Sequence, residues 1–269
     1  MARPQIPLTE FFNLESPLAT EYRRFFHNIR KSDTAGELKS VMLTSSVVGE
    51  GKSTISSLLA ITAAYKGQRT ILVDCDIRRP AIHRLFQLER ARGLVEIVTE
   101  GISYKDVVKK SSLDNLDVIT AGKPTPQPSE VFSTNSIDKL IHELKFYYDF
   151  LIVDSPPVLP VSDPMVLAQS VDGVIIVVKA GETAREVATR AVEIMRTNRA
   201  NILGVVLNNA RNRLPYYYDY SHYHYDYSQR GHNDETPGRR GSRDKKAGPS
   251  AGVRSTDSEP PPEKKRLIR

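Results

Sequence analysis

Residues 44–54 have the sequence Thr-Ser-Ser-Val-Val-Gly-Glu-Gly-Lys-Ser-Thr, and this stretch decides the fold. Gly49 and Gly51 allow backbone N–H groups to turn toward an anion, and the helix predicted to follow adds its positive end. Lys52 is the residue type that meets β- and γ-phosphates, and the hydroxyl of Ser53 is a ligand for Mg²⁺. We therefore predict that Gly49, Glu50, Gly51, Lys52, Ser53 and Thr54 bind ATP with Mg²⁺. Ser46 occupies the position of the first glycine in the usual GxxxxGK[ST] pattern.

Around this loop, short β-branched runs alternate with longer helical patterns. The predicted strands are 40–45, 70–74, 116–120, 150–154, 174–179 and 203–208, and the predicted helices are 52–65, 137–146 and 184–199. Another helix is predicted to begin at Ser16-Pro17 and to pass through Ile29, after an extended lead-in over residues 1–14. This alternation predicts a doubly wound α/β domain with a mostly parallel sheet and helices on both faces.

Carboxylates follow two of the predicted strands. Asp74 and Asp76 lie in Ile71-Leu-Val-Asp-Cys-Asp-Ile-Arg78, and Asp154 ends Phe150-Leu-Ile-Val-Asp154. Ligands of open parallel sheets bind at the carboxyl ends of the strands, so these acids are expected beside the phosphate loop. Asp154 matches an acid that supports Mg²⁺, and we predict a magnesium site of Ser53, Asp76 and Asp154.

Composition limits the classes of protein that remain. The single cysteine excludes a disulfide framework, and no apolar run reaches the length of a membrane-spanning helix. The net charge is +6, but residues 228–269 carry eleven Lys or Arg against six Asp or Glu, which leaves the body nearly neutral. We therefore expect no specific nucleic-acid partner, and we expect a cytoplasmic protein.

Four segments are predicted along the chain. They are an N-terminal lead-in and helix (1–36), the nucleotide-binding domain (37–212), a tyrosine cluster (213–227) and a basic tail (228–269). The tail consists mostly of Gly, Ser, Pro and charged residues. It is predicted to be disordered because it cannot bury enough apolar surface to offset the entropy of ordering.

The combination of Gly-Glu-Gly-Lys-Ser-Thr, Ile-Leu-Val-Asp-Cys-Asp-Ile-Arg-Arg and Phe-Leu-Ile-Val-Asp-Ser-Pro-Pro resembles the bacterial tyrosine kinases. These enzymes have a P-loop NTPase fold with Walker A, A′ and B motifs. Residues 80–86, 124–130 and 162–163 are also similar to that family, and the resemblance spans residues 15–212.

The resemblance implies roles for the site residues. Lys52, Asp74, Asp76 and Asp154 would be catalytic, with Asp74 or Asp76 accepting the proton of the attacking tyrosine hydroxyl. We favour Asp74, although the sequence does not separate the two. The phosphate acceptors would be the clustered tyrosines, which are Tyr216, Tyr217, Tyr218, Tyr220, Tyr223, Tyr225 and Tyr227.

The resemblance also implies partners. Family members regulate polymerisation and export of exopolysaccharide or capsule, and a transmembrane chain-length-determinant protein acts as their adaptor and activator. This implies a location at the inner face of the membrane, a homo-oligomer and a cognate tyrosine phosphatase. The first helix departs from the family's Glu-x-x-Arg-x-x-Arg assembly pattern, since Thr20, Arg23 and Phe26 occupy those places.

Three other functions are consistent with a phosphate loop. A positioning ATPase similar to MinD or ParA usually has a lysine five residues before the loop lysine, where this chain has Val47. An iron–sulfur carrier of similar fold would need paired cysteines, which Cys75 alone does not supply. The third is a scaffold that binds ATP without kinase activity.

Overall fold

The computed structural model describes residues 7–33, 36–132 and 135–210. The strands are β1 (Ser40–Ser45), β2 (Thr70–Asp74), β3 (Lys109–Lys110), β4 (Leu116–Ile119), β5 (Phe150–Asp154), β6 (Gly173–Lys179) and β7 (Ile202–Asn208). The helices are α1 (Leu8–Phe11), α2 (Pro17–Ser32), α3 (Lys52–Tyr65), α4 (Ile82–Leu85), α5 (Leu94–Glu100), α6 (Pro128–Val131), α7 (Ser136–Tyr147), α8 (Asp163–Ser170) and α9 (Arg185–Thr197). A short 3₁₀ helix covers Tyr104–Asp106.

The seven described strands form one sheet in the order β3-β4-β2-β5-β1-β6-β7. All neighbours pair in parallel except β3, which runs antiparallel to β4. The predicted mostly parallel, doubly wound sheet is thus confirmed, with each of the six predicted strands in place. The two-residue β3 has too little pattern to be recognised in a sequence.

Apolar side chains cover both faces of the sheet because successive residues of a strand point to opposite sides. Val41 and Leu43 of β1 pack on the face covered by α2 and α3, whereas Met42 packs on the face covered by α7, α8 and α9. The central strands β1, β2 and β5 are buried along their whole length. The strands that carry the predicted site therefore lie in the buried centre of the sheet.

The N-terminal region contains one correction. Residues 8–11 form one helical turn, so the prediction of an extended lead-in over residues 1–14 is wrong there. Phe12 is buried and Thr9 bonds to Ser112 at 2.6 Å, so tertiary contacts fix a turn that has no helical periodicity of its own. The predicted start of α2 is confirmed, since the Ser16 hydroxyl accepts from the Ala19 N–H and Pro17 occupies the first turn.

Thr20, Arg23 and Phe26, the positions of α2 that depart from the family's assembly pattern, make contacts within the chain. Arg23 donates to the Leu14 carbonyl at 2.7 Å and to the Thr20 hydroxyl at 2.8 Å. The Phe26 ring meets the Phe150 ring edge to face, with centroids 5.7 Å apart. In this chain Phe26 therefore helps to attach α2 to the sheet, whereas Arg23 and Thr20 bond within α2 and to the residues just before it.

Contacts divide the chain into two units, 1–219 and 220–269, and all described residues belong to the first. The tyrosine cluster and the basic tail lie outside the described residues, so their predictions stay predictions. Among the helices that the structure describes, none is long and apolar enough to cross a membrane.

Candidate functional site: a phosphate loop with three buried acids

The phosphate loop connects β1 to α3. Gly49 and Gly51 have φ values of 89° and 90°, a conformation that glycine adopts without strain. Gly51 directly precedes the first residue of α3, which is Lys52. Backbone N–H groups at the start of this 14-residue helix have no partner within it, so the loop can receive an anion.

The lysine of the loop contacts two of the predicted acids. Lys52 Nζ lies 2.7 Å from Asp76 Oδ2 and 3.7 Å from Asp154 Oδ2. It also donates to the Ser53 hydroxyl at 3.1 Å. Burial lowers the pKa of Lys52, but the charges of Asp154 and Asp76 outweigh that effect and raise it, so the ammonium stays protonated. Thr54, in contrast, is exposed on α3.

Sheet register explains why these acids meet. Asp74 ends β2 and lies opposite Asp154 at the end of β5, while Leu43 of β1 is the partner of Asp154 on its other side. The three strands are adjacent, so their carboxyl ends open into one place beside the loop.

Asp74 and Asp76 differ in their surroundings. Both oxygens of the fully buried Asp74 accept backbone N–H groups, from Asp76 at 3.2 Å, Ala81 at 3.2 Å and Ile82 at 3.1 Å. Burial, followed by the neighbouring charge of Asp154, raises the pKa of Asp74 above its usual range. Asp74 thus holds the 74–82 segment in place, whereas one oxygen of Asp76 contacts Lys52 directly.

Asp154 is left incompletely satisfied. Its Oδ1 accepts from the Ser56 hydroxyl at 3.1 Å, but its buried Oδ2 has no hydrogen-bond partner. Among the described residues only three buried side-chain atoms share this property, and two of them, Asp154 Oδ2 and Ser46 Oγ, belong to this site. Buried polar atoms without partners are costly, so such atoms beside a phosphate loop fit a site that Mg²⁺ and phosphate complete.

No group of three His, Cys, Asp or Glu side chains within the described ranges forms a metal site by itself. Mg²⁺ in proteins usually keeps several waters and binds one or two carboxylates together with substrate phosphates, so it does not need such a group. Ser53, Asp76 and Asp154 are the residues that would face it.

The structure joins three motifs whose roles the sequence left unassigned. Arg78, just after the paired acids, donates to Asp163 at 3.0 Å and to the Ser129 hydroxyl at 2.9 Å. These partners lie in the segments 162–163 and 124–130. Arg78 therefore ties the loop after β2 to α8 and α6, and no local pattern in the sequence predicts that contact.

Two further residues at the loop were also missed. Thr183, which follows β6, and Asn208, which ends β7, both bond to Glu50. They are more than 130 positions away from it in the chain, so only the pairing of β1, β6 and β7 reveals them.

The fold and the loop define a P-loop NTPase. A family model described as "ParA: NUBPL iron-transfer P-loop NTPase" matches residues 37–231. This match agrees with the predicted class. The chain has a single cysteine, Cys75, so it lacks the paired cysteines that an iron–sulfur carrier needs. That cysteine is also buried.

Individual relatives identify which family of P-loop NTPases the chain resembles. The chain is 35% identical to tyrosine-protein kinase YwqD of Bacillus subtilis, over 83% of this chain and 92% of that protein. It is 31% identical to a putative tyrosine-protein kinase, CapB, of Staphylococcus aureus, over 81% and 98% respectively. The kinase domain of the Escherichia coli tyrosine kinase ETK superposes with a TM-score of 0.73 at 27% identity, over 77% of this chain and 82% of that domain. The chain belongs to the bacterial tyrosine-protein kinase family, as its motifs predicted.

Proposed function

We propose that this protein is a tyrosine autokinase that transfers the γ-phosphate of ATP to its own C-terminal tyrosines. The observation that carries the proposal is the cluster of Lys52, Asp76 and Asp154 around the phosphate loop, in a chain of this family. The seven tyrosines between Tyr216 and Tyr227 follow the described domain closely in sequence and supply the acceptor hydroxyls.

We propose Asp76 as the proton acceptor in place of Asp74. A tyrosine hydroxyl has a pKa of about 10 and reaches the site protonated, so a carboxylate acceptor assists its attack. Asp74 is committed to three backbone donors, and burial raises its pKa. Asp76 lies at the loop lysine and accepts one backbone N–H, from Arg79 at 3.0 Å, where Asp74 accepts three, so it is the carboxylate better placed to meet the acceptor hydroxyl.

In the reaction, the tyrosine oxygen forms a bond to the γ-phosphorus while the bond from that phosphorus to the β–γ bridging oxygen breaks. ADP leaves and Asp76 takes the phenolic proton. Lys52 and the loop N–H groups hold the phosphates in line for this displacement. Mg²⁺, held by Ser53 and Asp154, would neutralise charge that develops on the phosphate oxygens.

We further propose that a transmembrane adaptor recruits and activates the kinase at the inner face of the membrane, where it would regulate capsule or exopolysaccharide export. A cognate phosphatase would reverse the modification. A homo-oligomer would let the cluster of one copy enter the site of another. Family membership supports these assignments.

The test is incubation with MgATP, with and without an adaptor cytoplasmic fragment, followed by mapping of phosphotyrosine by mass spectrometry. Phosphate is expected on residues 216–227 in the wild type and on none of them in Lys52→Met. Release of inorganic phosphate without phosphotyrosine would support a positioning ATPase instead, and ATP binding without turnover would support a scaffold. Val47, at the place of the lysine usual in positioning ATPases, argues against the former.

A further inference from the structure

The phosphate loop carries an acid of its own. Glu50 is only 3% exposed, and its Oε2 accepts the Val47 N–H at 2.9 Å. A carboxylate inside a loop that binds triphosphate would repel the ligand if it were free to turn toward it. The contacts that hold Glu50 therefore matter for nucleotide binding.

Thr183 provides the second donor to this carboxylate. Its hydroxyl accepts the Lys179 N–H at 2.9 Å and donates to Glu50 Oε1. Because the backbone of Lys179 already supplies a proton to this oxygen, the hydroxyl hydrogen is directed to Glu50. Thr183 is itself fixed by its N–H, which donates to the Lys179 carbonyl at 2.9 Å.

Asn208 holds the backbone of the same residue. Its Nδ2 donates to the Glu50 carbonyl at 2.8 Å, and its own carbonyl accepts from the Ala180 N–H at 2.8 Å. A Cβ on Gly51 would overlap this amide nitrogen, so Gly51 permits the close approach. The loop after β6 and the end of β7 thus contact the side chain and the backbone of Glu50, respectively.

We propose that Thr183 and Asn208 are positioning residues for the nucleotide. Thr183 keeps the Glu50 carboxylate turned away from the phosphates, and Asn208 fixes the Glu50 backbone from which that carboxylate extends. This inference rests on the proposed binding of ATP by the loop. Lys52 is paired with Asp76 and Asp154 rather than with Glu50, so two hydrogen-bond donors, the Val47 N–H and the Thr183 hydroxyl, stabilise the Glu50 carboxylate in this orientation.

The test is calorimetric titration of the full chain with MgATP. Thr183→Val should weaken binding about tenfold or more, because hydrogen bonds to a charged group are among the stronger ones. Thr183→Ser should stay within about twofold of the wild type, since it keeps the hydroxyl. Thr197→Val is the matched control, because that hydroxyl donates only to the Glu193 carbonyl within α9, and it should leave binding unchanged.

A charge-neutral background separates positioning from general support of the fold. A glutamine at position 50 can still accept from Val47 but carries no charge, so Glu50→Gln should bind MgATP within about threefold of the wild type. In that background, Thr183→Val should lower the affinity for MgATP less than about threefold, because the side chain at position 50 carries no charge that could turn toward the phosphates. Equal weakening in both backgrounds would overturn the inference, as would wild-type affinity in Thr183→Val.

Two controls keep the result decisive. Melting of the nucleotide-free variants shows whether the fold is retained. If Thr183→Val does not fold, Asn208→Ala replaces it and should weaken MgATP binding severalfold at unchanged melting temperature, whereas unchanged affinity would overturn the inference.

A wild type that binds MgATP but makes no phosphotyrosine would refute only the proposed kinase function. A wild type that does not bind MgATP would refute both.

Discussion

Lys52 and Asp76 form a buried ion pair, with Nζ 2.7 Å from Oδ2 and both side chains at most 10% exposed. The loop lysine is thus held by one carboxylate that follows β2 and another that ends β5. Under the proposed function, the phosphates of ATP would share this ammonium, and Asp76 would then be less tightly held and free to meet the hydroxyl of the acceptor tyrosine.

The first prediction concerns Asp76→Asn. Phosphotyrosine formation should fall at least about 100-fold, because the amide cannot accept the phenolic proton. The fold should be retained, since Lys52 keeps Asp154 as a partner. The measurement is the initial rate of phosphotyrosine formation by mass spectrometry, with MgATP affinity and melting temperature determined on the same sample.

Asp74→Asn should act on stability instead. The amide has one acceptor oxygen in place of two, so a backbone donor among Asp76, Ala81 and Ile82 would face an NH₂ group. We expect the free energy of unfolding to fall by about 1–3 kcal/mol, measured by denaturant titration. An active Asp76→Asn together with a stable but inactive Asp74→Asn would return the role of base to Asp74.

Arg78→Ala should separate the segments that surround the site. It leaves Asp163, which is 2% exposed, without its ion-pair partner and removes the bond to Ser129. Because Arg78 is itself about one-third exposed, we expect a loss of about 1–3 kcal/mol in the free energy of unfolding. Lysine at this position restores the charge but not the two-point contact, so Arg78→Lys should recover only part of the loss. Full stability in Arg78→Ala would show that the contact is not a structural tie.

Phe26→Ala tests whether Phe26, which departs from the family's assembly pattern in α2, stabilises the fold. Phe26 packs against Phe150, and the Arg30 guanidinium lies 5.5 Å from its ring centroid. Truncation should lower the free energy of unfolding by about 2–4 kcal/mol, as for other partly buried aromatic residues. Denaturant unfolding and light scattering on the same samples check this. If the variant keeps its free energy of unfolding but light scattering shows a different oligomeric mass, Phe26 serves assembly alone.

A pH dependence is expected from Asp172, which precedes β6. Burial raises the pKa of its carboxyl, but donation from Lys145, Lys39 and Ser40 outweighs burial and lowers it below the usual value. A lowered pKa contributes stability that is present above the unfolded pKa of about 4 and is lost as the pH falls through the folded value. Asp172→Asn should therefore lower the melting temperature at pH 7, and the gap to the wild type should narrow below about pH 4. A gap that is constant with pH would contradict this origin.

Much of the fold was predictable because its signals are local. The β-branched runs of β1, β2 and β5 and the continuous apolar pattern of α3 identify themselves within a few residues. The two-residue β3 and the single turn α1 do not, since each exists only through its contacts with β4 or with Phe12 and Ser112. The shorter helices α5 and α8 were missed as well, because eight residues or fewer give little periodicity.

The sequence alone predicted a phosphate loop around Lys52 with acids at positions 74, 76 and 154 beside it, because ligands of parallel sheets bind at the carboxyl ends of the strands. Tertiary structure decided which groups each acid contacts. Backbone donors engage Asp74, Lys52 engages Asp76, and Asp154 keeps one oxygen without a hydrogen-bond partner. It also brought Thr183 and Asn208 to Glu50, because strands distant in the chain become neighbours only when the sheet forms.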